Sequence, residues 1–304
     1  MDRHYRFTGR FEPVVRFETS PVGTAWWFVC DGSRLWVRRE ADGSLGVPRA
    51  SRPILLGLAT DPVPHPLGYL DGVPCYGLGA DSTVEAADPQ GQWLDLRRLH
   101  GRLPSDLFLL AGRAVQIVAW DRTHRYCGRC AAPLVFAEND RAKQCPACGL
   151  RQFPRLAPAI MAMVVRGTEV LLARGPAFPE GVYSILAGFV EPGETLEGCV
   201  RREVAEECGI EVGAMRYVGS QPWPFPHSLM IGFVCEYVSG ALRPDGVEIV
   251  EAGWFDYRAL PPHPGPMSLA GVLLADFVAD CARRSGTPYF SIVRRSRPMP
   301  NAKP

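Results

Sequence analysis

The stretch that most limits what this chain can become runs from Gly188 to Ile210, GFVEPGETLEGCVRREVAEECGI. A glycine- and proline-containing loop turns there into a helix that carries more negative charge than structure alone requires. Thr195 is placed to cap its N-terminus, Glu194 and Glu197 suit the positive end of its dipole, and Gly209 is placed to end it in the left-handed conformation. Glu203, Glu206 and Glu207 fall at i, i+3 and i+4, which sets carboxylates side by side on one helical face. Like charges at that spacing destabilise a helix by about 0.2–0.5 kcal/mol per pair. A divalent cation reverses the sign, because Mg²⁺ and Mn²⁺ prefer oxygen ligands. The competing reading is a solvated acidic face that Arg201 and Arg202 partly neutralise.

Two CxxC pairs are the second signal. Cys127 and Cys130 are followed, after fourteen residues, by Cys145 and Cys148, the spacing of a four-thiolate zinc ribbon. Four sulfurs close a tetrahedral shell and leave no place for a reacting water, so a zinc ion here is structural. A redox-active CxxC is the alternative. Arg125, Arg129, Arg141 and Lys143 give the ribbon a modest positive charge, a weak signal for nucleic acid. The other six cysteines, Cys30, Cys75, Cys199, Cys208, Cys235 and Cys281, are scattered and read as buried free thiols in a reducing cytoplasm. The opening MDRHYRFTGR lacks the apolar core of a signal peptide, and no apolar run is long enough to span a bilayer. A net charge of +1 argues against bulk attraction to nucleic acid or membrane.

At 304 residues the chain has room for about two domains beside the ribbon. Residues 1–121 read as a mostly β domain with strand-like runs AWWFVC, RLWVRR and PILLGL separated by turn signals. Trp26, Trp27 and Trp36 read as core; Arg97 and Arg98 read by default as solvated surface, the alternative being a reach to a phosphate across a domain boundary, and no constellation there discloses a function. The domain closes with an amphipathic helix of about four turns through Leu107, Leu110, Ala111, Ala114, Val115 and Val118, with Ser105 as its cap. Residues 122–153 form the ribbon. From 154 to 286, PRLAPAIMAMVV and EVLLAR read as a hairpin, YSILAGFV as the strand entering the acidic helix, and MRYVGS, SLMIGFVCEYV and AGWFDY as further strands. A last helix runs from about Ser268 to Arg283. Interleaving of this kind implies a mixed sheet between helices. Residues 287–304 are basic and Pro-rich, and read as disordered.

The third signal is SQPWPFPHSLM at 220–230. Three prolines restrict the loop and hold Trp223 and Phe225, a platform suited to a flat base or nicotinamide ring. Composition alone equally allows a surface turn with its aromatics tucked into the core.

The string from Gly188 to Ile210 resembles the Nudix box at every fixed position: Gly188, Glu194, Arg202-Glu203-Val204, Glu206-Glu207 and Gly209-Ile210. That resemblance implies an α/β/α sandwich and a hydrolase of nucleoside diphosphates linked to a second group. It makes Glu203 and Glu207 metal ligands, Glu206 a further ligand or base, Glu206 or Glu207 the acceptor of the water's proton, Glu194 and Arg202 a brace for the loop, and the Ala187 carbonyl a member of the metal shell. With the ribbon before it and SQPWPFP-x-S after it, the chain resembles the bacterial NADH pyrophosphatase family, also described as NAD-capped RNA hydrolases. The overall class expected is α+β: a mostly β N-terminal domain, a zinc ribbon and a Nudix sandwich.

By that likeness Gln221, Pro222, Trp223, Pro224, Phe225, Pro226, His227 and Ser228 line the dinucleotide site, and Phe189 and Trp223 sandwich the nicotinamide. Glu248 adds a metal carboxylate and Ala270 touches substrate. Phe153 stands where the family usually has a tyrosine, so a phenol hydrogen bond is lost there and only stacking remains. Asp140 or Glu138 matches an acidic residue of the family's ribbon. The implied reaction, with Mg²⁺ or Mn²⁺ and structural Zn²⁺, cuts NAD(H) to nicotinamide mononucleotide and AMP. On NAD-capped RNA it leaves a 5′-monophosphate end. A homodimer is expected. The alternatives are another Nudix specificity, such as ADP-ribose, and a non-catalytic nucleotide- or RNA-binding regulator; the latter calls for a box that has lost a carboxylate, and this box retains them all.

Overall fold

The computed structural model describes residues 6–17, 23–51, 63–80 and 90–283. The PILLGL run and the basic tail lie outside the described residues. Two compact units emerge, one of residues 3–156 with 223–227, the other chiefly of 157–222 and 228–304.

In the first unit the strands are β1 (Phe11–Pro13), β2 (Ala25–Asp31), β3 (Arg34–Arg39), β4 (Leu45–Gly46), β5 (Arg49–Ala50), β6 (His65–Leu70), β7 (Val73–Gly79) and β8 (Gly91–Asp95). They form one sheet in the order β1-β6-β7-β2-β3-β4, with β5 paired to β2 and β8 to β3. β2 explains the layering. Its side chains alternate, so Phe28 and Cys30 join a core with Leu110, Ala111, Ala114 and Val118 of helix α1 (Ser105–Thr123), while Ala25, Trp27 and Val29 meet Trp36 and Leu78 on the other face. Trp27 and Trp36 are core as expected; Trp26 is half-buried, with the Arg49 guanidinium 4.7 Å from its ring centre. Helix α1 is longer than expected, and Ser105 is not its cap: Pro104 holds that position without a side-chain bond. The first-turn carboxylate of Asp106 instead accepts from the Thr8 and Gly9 amides, each at 2.8 Å. The ribbon follows as three short antiparallel strands, β9 (Val135–Phe136), β10 (Lys143–Gln144) and β11 (Arg151–Gln152).

The second unit contains β12 (Ala157–Arg166), β13 (Glu169–Arg174), β14 (Leu186–Phe189), α2 (Leu196–Cys208), β15 (Glu211–Trp223), β16 (Ser228–Ser239), β17 (Glu251–Asp256) and α3 (Leu269–Arg283). The sheet order is β15-β16-β12-β13-β17, with β14 also on β12. β12 runs parallel to β16 and antiparallel to β13 and β14, so the sheet is mixed. Alternation along β12 again assigns the faces. Ile160, Ala162 and Val164 pack with Val200 and Val204 of α2, whereas Met161, Met163 and Val165 pack with Leu273, Leu274 and Phe277 of α3. Helices on opposite faces of one mixed sheet make the expected α/β/α sandwich. β15 is longer than MRYVGS alone, and β14 is confined to the four residues entering the box.

Six strands of the first unit repeat the six of the second, with β1 and β4 as additions. Its order β6-β7-β2-β3-β8 matches β15-β16-β12-β13-β17, and each sheet has its parallel pair at the same place, β2 with β7 and β12 with β16. β5 lies antiparallel on β2 as β14 does on β12, and α1 follows β8 as α3 follows β17. Residues 52–62, between β5 and β6 in the chain, lie outside the described residues. Their sequence is informative all the same: residues 51–64 contain one acidic residue, Asp61, where 190–210 contain six glutamates. The sequence alone does not disclose this repeat, because strand order is invisible in composition.

Gln221, 3 % exposed on β15, ties the second unit together. Its amide donates to Met267 O at 2.8 Å and accepts from Leu269 N at 2.6 Å, filling one of the unpaired amides at the start of α3. Gln221→Ala removes the acceptor of the buried Leu269 amide, at a cost of about 1–3 kcal/mol. We expect a clearly lower midpoint in chemical unfolding; a wild-type midpoint would show that water replaces the amide.

Candidate active site

Helix α2 is built as its sequence dictates. Thr195 Oγ1 accepts from Gly198 N at 3.0 Å, and Gly209 closes the helix at φ 69°. Three turns between those caps carry the acidic face. Glu203 and Glu207 are buried, 8 % and 6 % exposed, while the Glu206 side chain faces solvent.

Arg202 holds this face together. Its Nε and Nη2 grip the two oxygens of Glu194 at 2.7 and 3.0 Å. Nη1 reaches Glu203 Oε1 at 2.9 Å and Glu206 Oε2 at 3.2 Å, and Nη2 also donates to Phe189 O at 3.0 Å. The Arg202 guanidinium, helped by the Glu191 amide, holds the Glu194 carboxyl down at about 2. Gly188 is needed for a steric reason: a Cβ there would lie 1.9 Å from Glu203 Cδ. The opening glycine of the box is thus where the strand backbone and a buried carboxylate meet.

Glu207 is the least stable charge in the site. Burial first, then the negative charges of Glu203, Glu248 and Asp245, push its carboxyl up to about 8. Its Oε2 is buried with no hydrogen-bond partner. Burial likewise raises the Glu203 carboxyl, against the pull of Arg202. A buried oxygen lacking a donor, in a field of further carboxylates, suits a hard divalent cation. Glu203, Glu207 and Glu248 share that field without a common tight donor sphere. Among the described residues, only the cysteine quartet brings three or more such donor atoms within 4.8 Å of one another. Glu248 is exposed on the loop before β17, and Ala187 is exposed on β14 opposite Met161.

The other expected residues are dispersed. Phe189 is 57 % exposed at the end of β14. Gln221 is committed to α3, Ser228 is buried where β16 pairs with Ala157, and Ala270 is 1 % exposed inside the α3 core. Trp223 to His227 group with the first unit. There the Trp223 and Phe225 rings meet edge to face at 5.0 Å, Pro224 lies against Gly112, and Pro226 is exposed after Pro222 at the strand end. His227 keeps a buried Nδ1 without a partner. Sequence reasoning missed Arg97, whose guanidinium sits 4.0 Å from the Phe225 ring centre and 5.4 Å from that of Trp223. Nothing in the spacing of Arg97 announces an aromatic partner more than a hundred residues away.

In the ribbon, each CxxC forms the same turn: Cys127 N bonds Ala132 O, and Cys145 N bonds Leu150 O at 2.9 Å. Ala131 and Gly149 close the turns with positive φ, 59° and 75°. The sulfurs meet in pairs, Cys127 with Cys148 at 3.6 Å and Cys130 with Cys145 at 3.4 Å, as four ligands of one zinc would. The Arg129 amide on Cys127 Sγ is the main cause holding that thiol down at about 6, which favours the thiolate a metal needs. Two of the ribbon's basic residues are engaged within the fold. Lys143 is buried on the Asp121 carboxylate and two carbonyls, and Arg141 donates to Val14 O and Pro66 O. Asp140 pairs with Arg151 at 2.6 Å, Glu138 is exposed, and Phe153 is 55 % exposed with the Arg151 guanidinium 5.6 Å from its ring centre.

Three outcomes follow from this geometry. Gly188→Ala displaces the flexible end of Glu203 rather than backbone, so the protein should fold while turnover falls about a hundredfold, the scale of a 1 Å misplacement; near-normal turnover would remove Glu203 from the reacting centre. The raised Glu207 means the folded state keeps a proton that the unfolded chain releases above its ordinary value of 4.5. Stability of the metal-free protein therefore falls as pH rises from about 4.5 through about 8, and Glu207→Gln should flatten that slope in thermal unfolding. Cys127→Ser should lower zinc content and stability together, read by metal analysis and unfolding; a well-folded, zinc-free, active variant would refute a structural zinc.

Comparison with known proteins agrees with this architecture. The NUDIX domain family matches residues 155–275, the NADH pyrophosphatase zinc ribbon domain 122–153, and the NADH pyrophosphatase-like rudimentary NUDIX domain 24–120. The last of these covers the repeated first unit. A protein of Pseudomonas aeruginosa named NAD-capped RNA hydrolase NudC is 50 % identical over 224 residues, 73 % of this chain and 78 % of that one. Proteins of the same name from Stutzerimonas stutzeri and Chromobacterium violaceum are 46 % identical over 222 residues and 43 % identical over 256, covering 79 % and 89 % of their lengths. With the box intact, the ribbon formed and relatives at this identity across most of their length, the chain belongs to the NAD-capped RNA hydrolase family of Nudix proteins.

Proposed function

We propose that this chain hydrolyses the pyrophosphate bond of NAD(H) to nicotinamide mononucleotide and AMP, and removes NAD caps from RNA 5′ ends to leave a monophosphate. The observation that carries the chemistry is the buried, unpartnered Glu207 oxygen in its field of carboxylates. The substrate comes from the relatives' shared name and from the SQPWPFP loop.

Glu203, Glu207, Glu248 and the Ala187 carbonyl would hold Mg²⁺ or Mn²⁺. When bound, such ions neutralise the pyrophosphate and lower the pKa of a water. The chain's own residues do the rest. Arg202 fixes the Glu203 carboxylate and, through Glu194 and Phe189 O, the loop of the box. Glu206, the solvent-facing carboxylate of the three, takes the proton of the attacking water and passes it to bulk. Trp223 offers a ring face to the nicotinamide. The ribbon holds zinc for structure only. A homodimer in the cytoplasm completes the reading; among the described residues no helix is long and apolar enough to cross a membrane.

A digest of NADH, ADP-ribose and a short 5′-NAD-RNA, resolved by chromatography, tests it. Nicotinamide mononucleotide should appear from NADH and from the RNA, with ADP-ribose slower. Trp223→Ala should raise KM for NADH about ten- to a hundredfold, the worth of one stacked ring, and leave ADP-ribose nearly unaffected. Cleavage of ADP-ribose alone would mean the aromatic loop serves the fold. No cleavage of any of the three would leave a nucleotide-binding regulator.

A further inference from the structure

The loop between β16 and β17 carries Glu248, and one side chain organises it. Asp245 Oδ1 accepts from three successive backbone amides, Val247 N at 3.1 Å, Glu248 N at 3.1 Å and Ile249 N at 2.8 Å, and Oδ2 accepts from Glu248 N at 3.2 Å. Gly246 N closes the turn on Ile249 O at 3.0 Å. The same residue reaches back to the acidic helix: Asp245 N donates to Glu207 O at 3.1 Å, and Arg243 N donates to Cys208 O at 2.9 Å. These are carbonyls that the end of α2 leaves without helical partners.

The loop is fixed on its far side as well. Ile249 is buried in the core shared with α2, Val250 N bonds Arg174 O at 3.0 Å, and Gly175 leaves room beside Glu248 O, where a Cβ would stand 3.1 Å away. Glu248 thus leaves the chain between a hydrophobic anchor and a carboxylate cradle, and its charge acts on both Glu203 and Glu207. Three amide contacts on Oδ1 and one on Oδ2 make Asp245 the residue that holds the loop.

We propose that Asp245 is a positioning residue for metal binding, joining the last turn of α2 to the loop of Glu248 so that Glu207 and Glu248 address the same cation. This rests on the reading of Glu248 as a metal carboxylate. Residues that orient metal ligands typically alter metal affinity ten- to a hundredfold when removed.

The test is direct Mn²⁺ binding by the full-length protein, followed as free Mn²⁺ by electron paramagnetic resonance, in wild type, Asp245→Ala, Glu248→Gln and the double variant, with unfolding midpoints alongside. Asp245→Ala is expected to weaken Mn²⁺ ten- to a hundredfold, and the double variant to be no weaker than the weaker single. Wild-type affinity in Asp245→Ala beside a weakened Glu248→Gln overturns the positioning role and leaves the metal role of Glu248 standing. Multiplying losses in the double variant also overturn it, since Asp245 would then act elsewhere than through Glu248. Unchanged affinity in Glu248→Gln defeats the underlying reading and the proposal with it. Where Asp245→Ala fails to fold, Asp245→Asn decides: it keeps the shape but loses the charge that strengthens the amide contacts. A three- to tenfold loss is expected there, and wild-type affinity would overturn the proposal.

Discussion

Arg202 is the interaction on which the acidic site depends. A single guanidinium neutralises one carboxylate in a two-pronged grip, touches two more and satisfies the Phe189 carbonyl at the strand end. Without that positive charge, α2 would set three glutamates of its own beside Glu194, with repulsion along its face. With it, the charge is divided. Glu194 is held ionised and structural, whereas Glu207, beyond its reach, is left buried and prone to protonation. Spatial separation along one helix turns a line of identical residues into a brace, two candidate ligands and a solvent-facing carboxylate.

The repeated strand order gives this division a contrast within one molecule. Both units use a parallel pair at the sheet centre, a short antiparallel strand beside it and a helix after the last strand. What separates them is chemical. Ala50 ends the short strand of the first unit, whereas Gly188 lies within that of the second and admits the Glu203 carboxylate against the backbone. The segment after Ala50 also lacks the run of glutamates. The strand order is thus shared by both units, whereas the acidic face is formed at one strand and one helix of the second. That is consistent with function residing in side chains placed on a scaffold rather than in the scaffold itself.

Legibility in the sequence follows the range of the interactions. The caps of α2, the alternation along β12 and the cysteine turns depend on neighbours within a few residues, and each is formed as its pattern implies. Ser105 is not the cap because the helix begins one residue earlier than expected, with Pro104 in that position, while the first-turn carboxylate of Asp106 is taken up by the Gly9 amide ninety-seven residues away. Arg97 read as solvated surface by default for the same reason, and Arg141 and Lys143 of the ribbon read as a weak nucleic-acid signal although their partners are carbonyls and a carboxylate set elsewhere in the first unit. Gln221 illustrates the converse. Its motif marks it for substrate, while both ends of its amide are bonded to the start of α3, a fact fixed only by how β15 packs.

In the proposed metal site, proton and cation would be linked through Glu207. A carboxyl pushed up to about 8 is largely protonated at neutral pH, so a cation entering there displaces a proton, and its apparent affinity rises with pH until Glu207 is ionised. The same burial that disfavours the free carboxylate strengthens its attraction to a divalent ion, because the surrounding medium screens little. Glu203 shares the trend, but Arg202 sits 2.9 Å from its oxygen and offsets part of the burial. The two buried glutamates are thus unequal as candidate ligands. Glu203 is already charge-compensated by the protein, whereas Glu207 would gain most from a cation.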